Sequence, residues 1–138
     1  MKIRKLQRVQ NRAARLVLGL YYFDRTSTKI MLRALHWLPV RARIDYKIAL
    51  LCFNAQHSKS PSYIQELVVP YTPIRQLRSH NKNLLNIPKT KLKRFGDRAF
   101  SKVGPSVWNS LPLSVRSASG LVVFKKQLKT YLFTKYLS

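Results

Sequence analysis

The sequence predicts a mainly α, small helical domain with a short extended or hairpin segment in the middle. Three observations predict it. Apolar residues recur at three- and four-residue intervals over 2–20, over about 40–57 and after Gly120, which is the period of an amphipathic helix. Pro70, Pro73 and Pro88 punctuate a polar, basic middle in which only "NLLNI" has strand character. A composition of 46% apolar and 11% aromatic residues in a chain of 138 supports one modest core and is too hydrophobic for a disordered tail. A single domain spanning 1–138 follows, with a helical part at 1–69, a basic loop or hairpin at 70–94, and an aromatic scaffold with a C-terminal helix at 95–138.

The first element, KIRKLQRVQNRAARLVLGL, places Ile3, Leu6, Val9, Ala13, Leu16, Val17 and Leu20 along one helical face. At about 100° per residue, Arg4, Arg8, Arg12 and Arg15 fall within roughly 80° of arc on the other side and form a cationic ridge. No Asp or Glu lies in the segment to pair them. Gly19 weakens the helix end, and "YYFDRTS" reads as a loop leading to a new start, with Thr26 or Ser27 as N-cap for a helix over about 28–35. Pro39 interrupts "LHWLP" and opens the next helix, about 40–57, with Ile44, Ile48, Leu51, Cys52 and Ala55 on its core face and Arg41, Arg43 and Lys47 elsewhere. Ser60-Pro61 opens a short fourth helix through Leu67.

Between Pro70 and Arg94 the run KTKLKR adds four cations in six residues to Arg75, Arg78 and Lys82. The stretch RFGDRAFSKVGPSVWNSLP, 94–112, then mixes aromatics, turn formers and charge. Phe95, Phe100 and Trp108 supply core area, while Gly96, Gly104 and Pro105 force turns. Asp97, flanked by Arg94, Arg98 and Lys102, is expected to form a buried or half-buried ion pair. Trp108 has a second possible use, stacking on an unpaired base. In the last helix Leu121, Phe124, Leu128, Tyr131 and Leu132 form the packing stripe, with Lys125, Lys126 and Lys129 beside it.

The charge sets the functional classes. Twenty-seven Lys and Arg stand against four acids, Asp24, Asp45, Glu66 and Asp97, a formal net charge of +23. Such a chain repels itself and favours a polyanion, and nucleic acid binds basic proteins largely by releasing condensed counterions. The expected partner is the backbone of RNA or DNA, contacted by Arg4, Arg8, Arg12, Arg15, Lys91, Lys93, Arg94 and Arg98. Catalysis is not expected of the isolated chain. Its four carboxylates are at least 21 residues apart, whereas two-metal chemistry needs them clustered. Cys52, His36, His57 and His80 lack metal-ligand spacing, and no phosphate-cradling or hydrolase motif occurs. No cofactor, metal or small-molecule substrate is expected. No membrane partner is expected either, since no run of eighteen apolar residues exists. A single cysteine points to a reducing compartment and hence an intracellular location, nuclear or cytoplasmic, although the Arg-rich first 23 residues also have the pattern of a mitochondrial presequence.

Six ordered blocks, LQRVQNRAARLVLGL (6–20), LHWLPVRARIDYKIALLCF (35–53), PSYIQELVVPYTP (61–73), LRSH (77–80), FGDRAFSKVGPSVWNSLP (95–112) and FKKQLKTYLF (124–133), cover nearly the whole chain. In order and spacing they resemble the C-terminal region of the polyprotein of LINE-type (non-LTR) retrotransposons of the jockey-like and Rex-like lineages, the segment that follows the reverse transcriptase domain. The resemblance implies a parent protein with an N-terminal endonuclease and a central RNA-directed DNA polymerase. Neither the polymerase's FADD-type aspartate motif nor the endonuclease residues occur here, so no catalytic residue carries over. It implies a detached C-terminal piece, for which binding the template RNA or target DNA is the physically sensible role. Two rival readings are a packing module for the reverse transcriptase domain and a non-functional remnant of a truncated element.

Overall fold

The computed structural model describes residues 2–21, 23–73, 83–90 and 96–138. The chain is mainly helical. Its elements are α1 (Lys2–Val17), α2 (Thr28–Ala34), α3 (Val40–Gln56), α4 (Ser62–Gln65), a 3-10 turn (Gly96–Arg98), α5 (Phe100–Asn109), α6 (Leu113–Arg116) and α7 (Leu121–Leu137). No described helix is long and apolar enough to cross a membrane. The chain folds as two compact units, residues 1–46 with 129–138, and residues 47–128. This division interleaves the linear parts read from the sequence, because α3 and α7 each contribute to both units.

In the first unit, Ala14, Met31, Leu32 and Leu137 form a buried cluster, with Leu18, Leu20, Leu35, Trp37 and Phe133 packed against it. Gly19 does more than weaken α1. At φ 64° it occupies the left-handed position of a helix-ending motif in which Leu20 N–H donates to Arg15 O at 3.0 Å and Gly19 N–H to Leu16 O at 3.2 Å. The same motif ends α2, with His36 at φ 51° and Trp37 N–H donating to Leu32 O at 2.9 Å. Ser27 caps the start of α2, accepting from Ile30 N–H.

The face by which α1 joins this unit sets a polar seam beside Ala14 and Leu18. Gln10 is 8% exposed and donates to Leu38 O at 2.9 Å, while Gln7 Oε1 accepts from Val40 N–H at 2.9 Å. Val40 opens α3, and Pro39 before it has no side-chain acceptor, so Gln7 supplies the cap from another helix. Asn11 donates to Thr28 Oγ1 at 3.1 Å and accepts from Gln7 Nε2 at 2.8 Å, completing the seam. The apolar stripe faces solvent instead: Leu6, Val9, Leu16 and Val17 are 55%, 65%, 82% and 62% exposed. Asp45 is buried beside Arg41, at 3.7 Å, and accepts from Tyr136 Oη at 2.6 Å.

The second unit is built on stacked rings. Phe124 lies 4.3 Å from the ring of Phe53 and 5.7 Å from that of Trp108, centroid to centroid. Leu111, Val115 and Leu128 are buried as well. The extended middle is present as one antiparallel bridge between Pro70 and Leu85, where Tyr71 N–H donates to Leu84 O and Asn86 N–H to Val69 O. The amide of Asn109 then pairs with both backbone groups of Leu85 at 2.9 Å, as a neighbouring strand would.

Several local expectations change. Gly104 and Pro105 do not turn the chain; they lie buried inside α5. Proline inside a helix loses a hydrogen bond and crowds the residue before it, and Gly104 has no Cβ to be crowded. A Cβ there would also meet Cys52 Sγ at 3.1 Å and the Phe100 ring at 3.3 Å, so glycine permits this close approach. The buried line on α3 runs through Ala42, Asp45, Ala49, Cys52 and Phe53, while Leu51 is 38% exposed and Ile44 and Ile48 are half-buried. At Cys52 a small side chain fits because the backbone at Gly104 comes within reach of it. The fourth helix is a single turn rather than a run to Leu67. Asp97 is on the surface, its side chain 44% exposed, where it pairs with Lys102 and accepts from Thr90 Oγ1.

Candidate nucleic-acid interface

Along α1 the azimuths of Arg4, Arg8, Arg12 and Arg15 set up one basic ridge, and a step of four residues raises each arginine of the series Arg4, Arg8, Arg12 by about 6 Å along the axis. All three are exposed. Both ion pairs found among the described residues, Arg41 with Asp45 and Lys102 with Asp97, lie elsewhere, so no carboxylate neutralises these three side chains. A row of unpaired guanidiniums, each with a planar fork of donors, matches a row of phosphates.

Arg15 departs from the ridge as read from sequence. It is half-buried, and its guanidinium donates to Tyr21 O and Asp24 O, both at 3.0 Å. The carbonyls of Tyr21 and Asp24 lie past the end of α1, and Arg15 supplies donors to both. It therefore acts as a clamp on the 21–24 turn rather than as a free phosphate ligand. The turn is closed further by Asp24 N–H donating to Tyr21 O at 3.1 Å and by the Asp24 carboxylate accepting from Tyr21 N–H at 2.7 Å.

Arg98 is exposed in the 3-10 turn of the second unit. Lys91, Lys93 and Arg94 lie outside the described residues, as does most of the basic middle. The eight cations named from the sequence thus resolve into three exposed arginines on one helix, one clamp, one arginine in the other unit and three undescribed positions. In that second unit Lys102 holds the Asp97 carboxyl below its ordinary range, with help from Thr90. Arg116 is buried and donates to Leu111 O at 3.0 Å and Asn83 O at 3.3 Å, and burial lowers its affinity for the proton.

Trp108 takes the first of its two expected uses, as a core residue, and the base-stacking alternative is excluded. It is 1% exposed, lies against Phe124, and donates its indole N–H to Asn83 O at 2.8 Å, so neither ring face is open to a base. The Cys52 thiol is fully buried, which pushes its pKa up to about 12 and keeps it protonated at neutral pH.

Sequence reasoning passed over the turn that follows the ridge. Tyr21 and Phe23 are 69% and 77% exposed, and their rings are stacked 5.5 Å apart with planes 2° from parallel. The signal is present in "YYFDRTS", an aromatic run directly after a basic helix, but by pattern alone it reads only as a connection. Searches of family models, of curated proteins and of solved structures each found no match to the chain.

Proposed function

We propose that this chain is a non-catalytic, strongly basic nucleic-acid-binding module that holds RNA or DNA by its phosphates, and that it is the C-terminal part of a LINE-type reverse transcriptase polyprotein. One observation carries the binding: Arg4, Arg8 and Arg12 stand exposed on one arc of α1, without carboxylate partners among the described residues, in a chain of net charge +23. The assignment to the polyprotein rests on the six sequence blocks. Phosphate contacts of this kind give affinity without base specificity.

The salt dependence of binding tests it. Each phosphate contact contributes about 0.7–0.9 to the slope of log K against log salt concentration. Arg4→Gln with Arg8→Gln should therefore flatten the slope for a short RNA by about 1.4–1.8. An unchanged slope in that double variant removes these arginines as phosphate ligands.

The uncovered apolar stripe of α1 favours a second reading, in which α1 packs against the polymerase domain of the parent protein. Apolar patches of a few hundred Å² on a monomer commonly mark contact surfaces. A hydrophobic dye should then bind the isolated chain and be displaced on adding that domain. Dye binding that the domain does not relieve counts against this second reading alone.

A further inference from the structure

We propose that the stacked rings of Tyr21 and Phe23 are a platform for an unpaired base, so that the basic ridge of α1 serves a single-stranded rather than a duplex nucleic acid. The inference rests on the phosphate-binding reading and adds to it the conformation of the ligand. Two large aromatic side chains, 69% and 77% exposed, stand beside each other in parallel planes, with no other ring stacked on them among the described residues. Exposed aromatic surface of that extent is costly in water, and a nucleobase offers a flat apolar partner for it.

The turn that carries them is built with more constraint than a connection needs. Four hydrogen bonds hold it: Asp24 N–H to Tyr21 O, Tyr21 N–H to the Asp24 carboxylate, and Arg15 to the carbonyls of Tyr21 and Asp24. Arg15 also belongs to the arc of Arg4, Arg8 and Arg12, so its grip fixes the aromatic turn at the C-terminal end of the ridge. A strand whose phosphates follow Arg4, Arg8 and Arg12 is thereby led towards the rings. Duplex ends aside, bases paired in a helix cannot reach such a platform, whereas bases of a single strand stack on aromatics whatever their identity.

The test uses the whole chain and three labelled 12-residue probes of equal charge per strand: a single-stranded oligopyrimidine, the same backbone with abasic sites throughout, and a blunt duplex. Affinity is read by fluorescence anisotropy. The base-bearing strand should bind about tenfold more tightly than the abasic one, the loss typical of removing a stacked base. Tyr21→Ser with Phe23→Ser should erase that preference while leaving abasic binding and its salt slope unchanged. Both residues are exposed, so the variant keeps the fold, and its circular dichroism checks this. Arg15→Gln, which frees the turn, should reduce the preference and spare the slope. Equal affinity for base-bearing and abasic strands overturns the platform and leaves phosphate binding standing, as does a preference that the Ser variant retains. Failure of every probe to bind at low salt overturns both readings together.

Discussion

Helices α1 and α7 are nearly the same length, 16 and 17 residues, and each carries an apolar stripe beside a row of cations, yet they use opposite faces. Helix α7 buries Phe124, Leu128, Leu132 and Leu137 and turns Lys125, Lys129 and Lys135 to solvent. Helix α1 buries Gln10 and Ala14 and exposes Leu6, Val9, Leu16 and Val17. The cause is a need for hydrogen bonds in the chain it joins. Leu38 O and Val40 N–H flank Pro39 at the start of α3 and are satisfied from α1. Gln10 and Gln7 reach them across 28 and 33 residues of sequence. An apolar face laid there would bury both groups unpaired, at roughly 1–3 kcal/mol each. Periodicity thus locates the axis of amphipathicity but does not say which side finds its partner within the chain.

The comparison is tested most strongly at Phe124. Phe124→Ala removes the ring between Phe53 and Trp108, and should lower unfolding free energy by about 3–5 kcal/mol in a denaturant titration. The corresponding test on α1 is a polar residue. Gln10→Ala leaves Leu38 O without its donor and should cost about 1–3 kcal/mol. Gln10→Leu, which adds apolar area at the same place, should not recover that loss. A Leu variant as stable as the wild type would show that α1 is held by contact area and not by its polar seam.

Near the end of α7, Tyr136 gives a smaller effect with a pH signature. Its hydroxyl donates to the buried Asp45 carboxylate, so Tyr136→Phe should cost about 1–2 kcal/mol at pH 8. Burial, then Asp45, raises the Tyr136 pKa above its ordinary 10.0. A group whose folded pKa is raised stabilises fully below its unfolded value and loses that contribution as pH rises through the folded one. The stability gap between wild type and Tyr136→Phe should therefore narrow above about pH 10 and stay constant from pH 7 to 9. A gap that widens with alkali would mean that folding lowers the Tyr136 pKa, and would overturn the hydrogen bond to Asp45 as its source of stability.

Much of the helical layout is legible in the sequence. The Ser27 cap, the start after Pro39 and the stripe Phe124, Leu128, Leu132 are local signals, and the structure places them where the residues indicate. What is not legible depends on contacts distant in sequence. Gly104 and Pro105 read as turn formers because a proline usually ends a helix, and the approach of Cys52, distant in sequence, favours a glycine inside α5. Trp108 is ambiguous without Asn83 O and Phe124 beside it. Arg15 looks like its three neighbours on the ridge because the carbonyls it binds belong to a turn whose shape the sequence does not state. The site is readable as charge and unreadable as geometry.

The smallest effect separates the two helices most cleanly. Leu16 is 82% exposed on α1, and Leu128 is fully buried on α7, although both are leucines on the apolar stripe of an amphipathic helix. Leu16→Gln removes apolar area that folding does not cover, so unfolding free energy should change by no more than about 0.5 kcal/mol. Leu128→Gln puts an amide into the core and should cost several times that. Equal losses at the two positions would mean that α1 packs by its stripe after all, and the polar seam through Gln7, Gln10 and Asn11 would then have to face water.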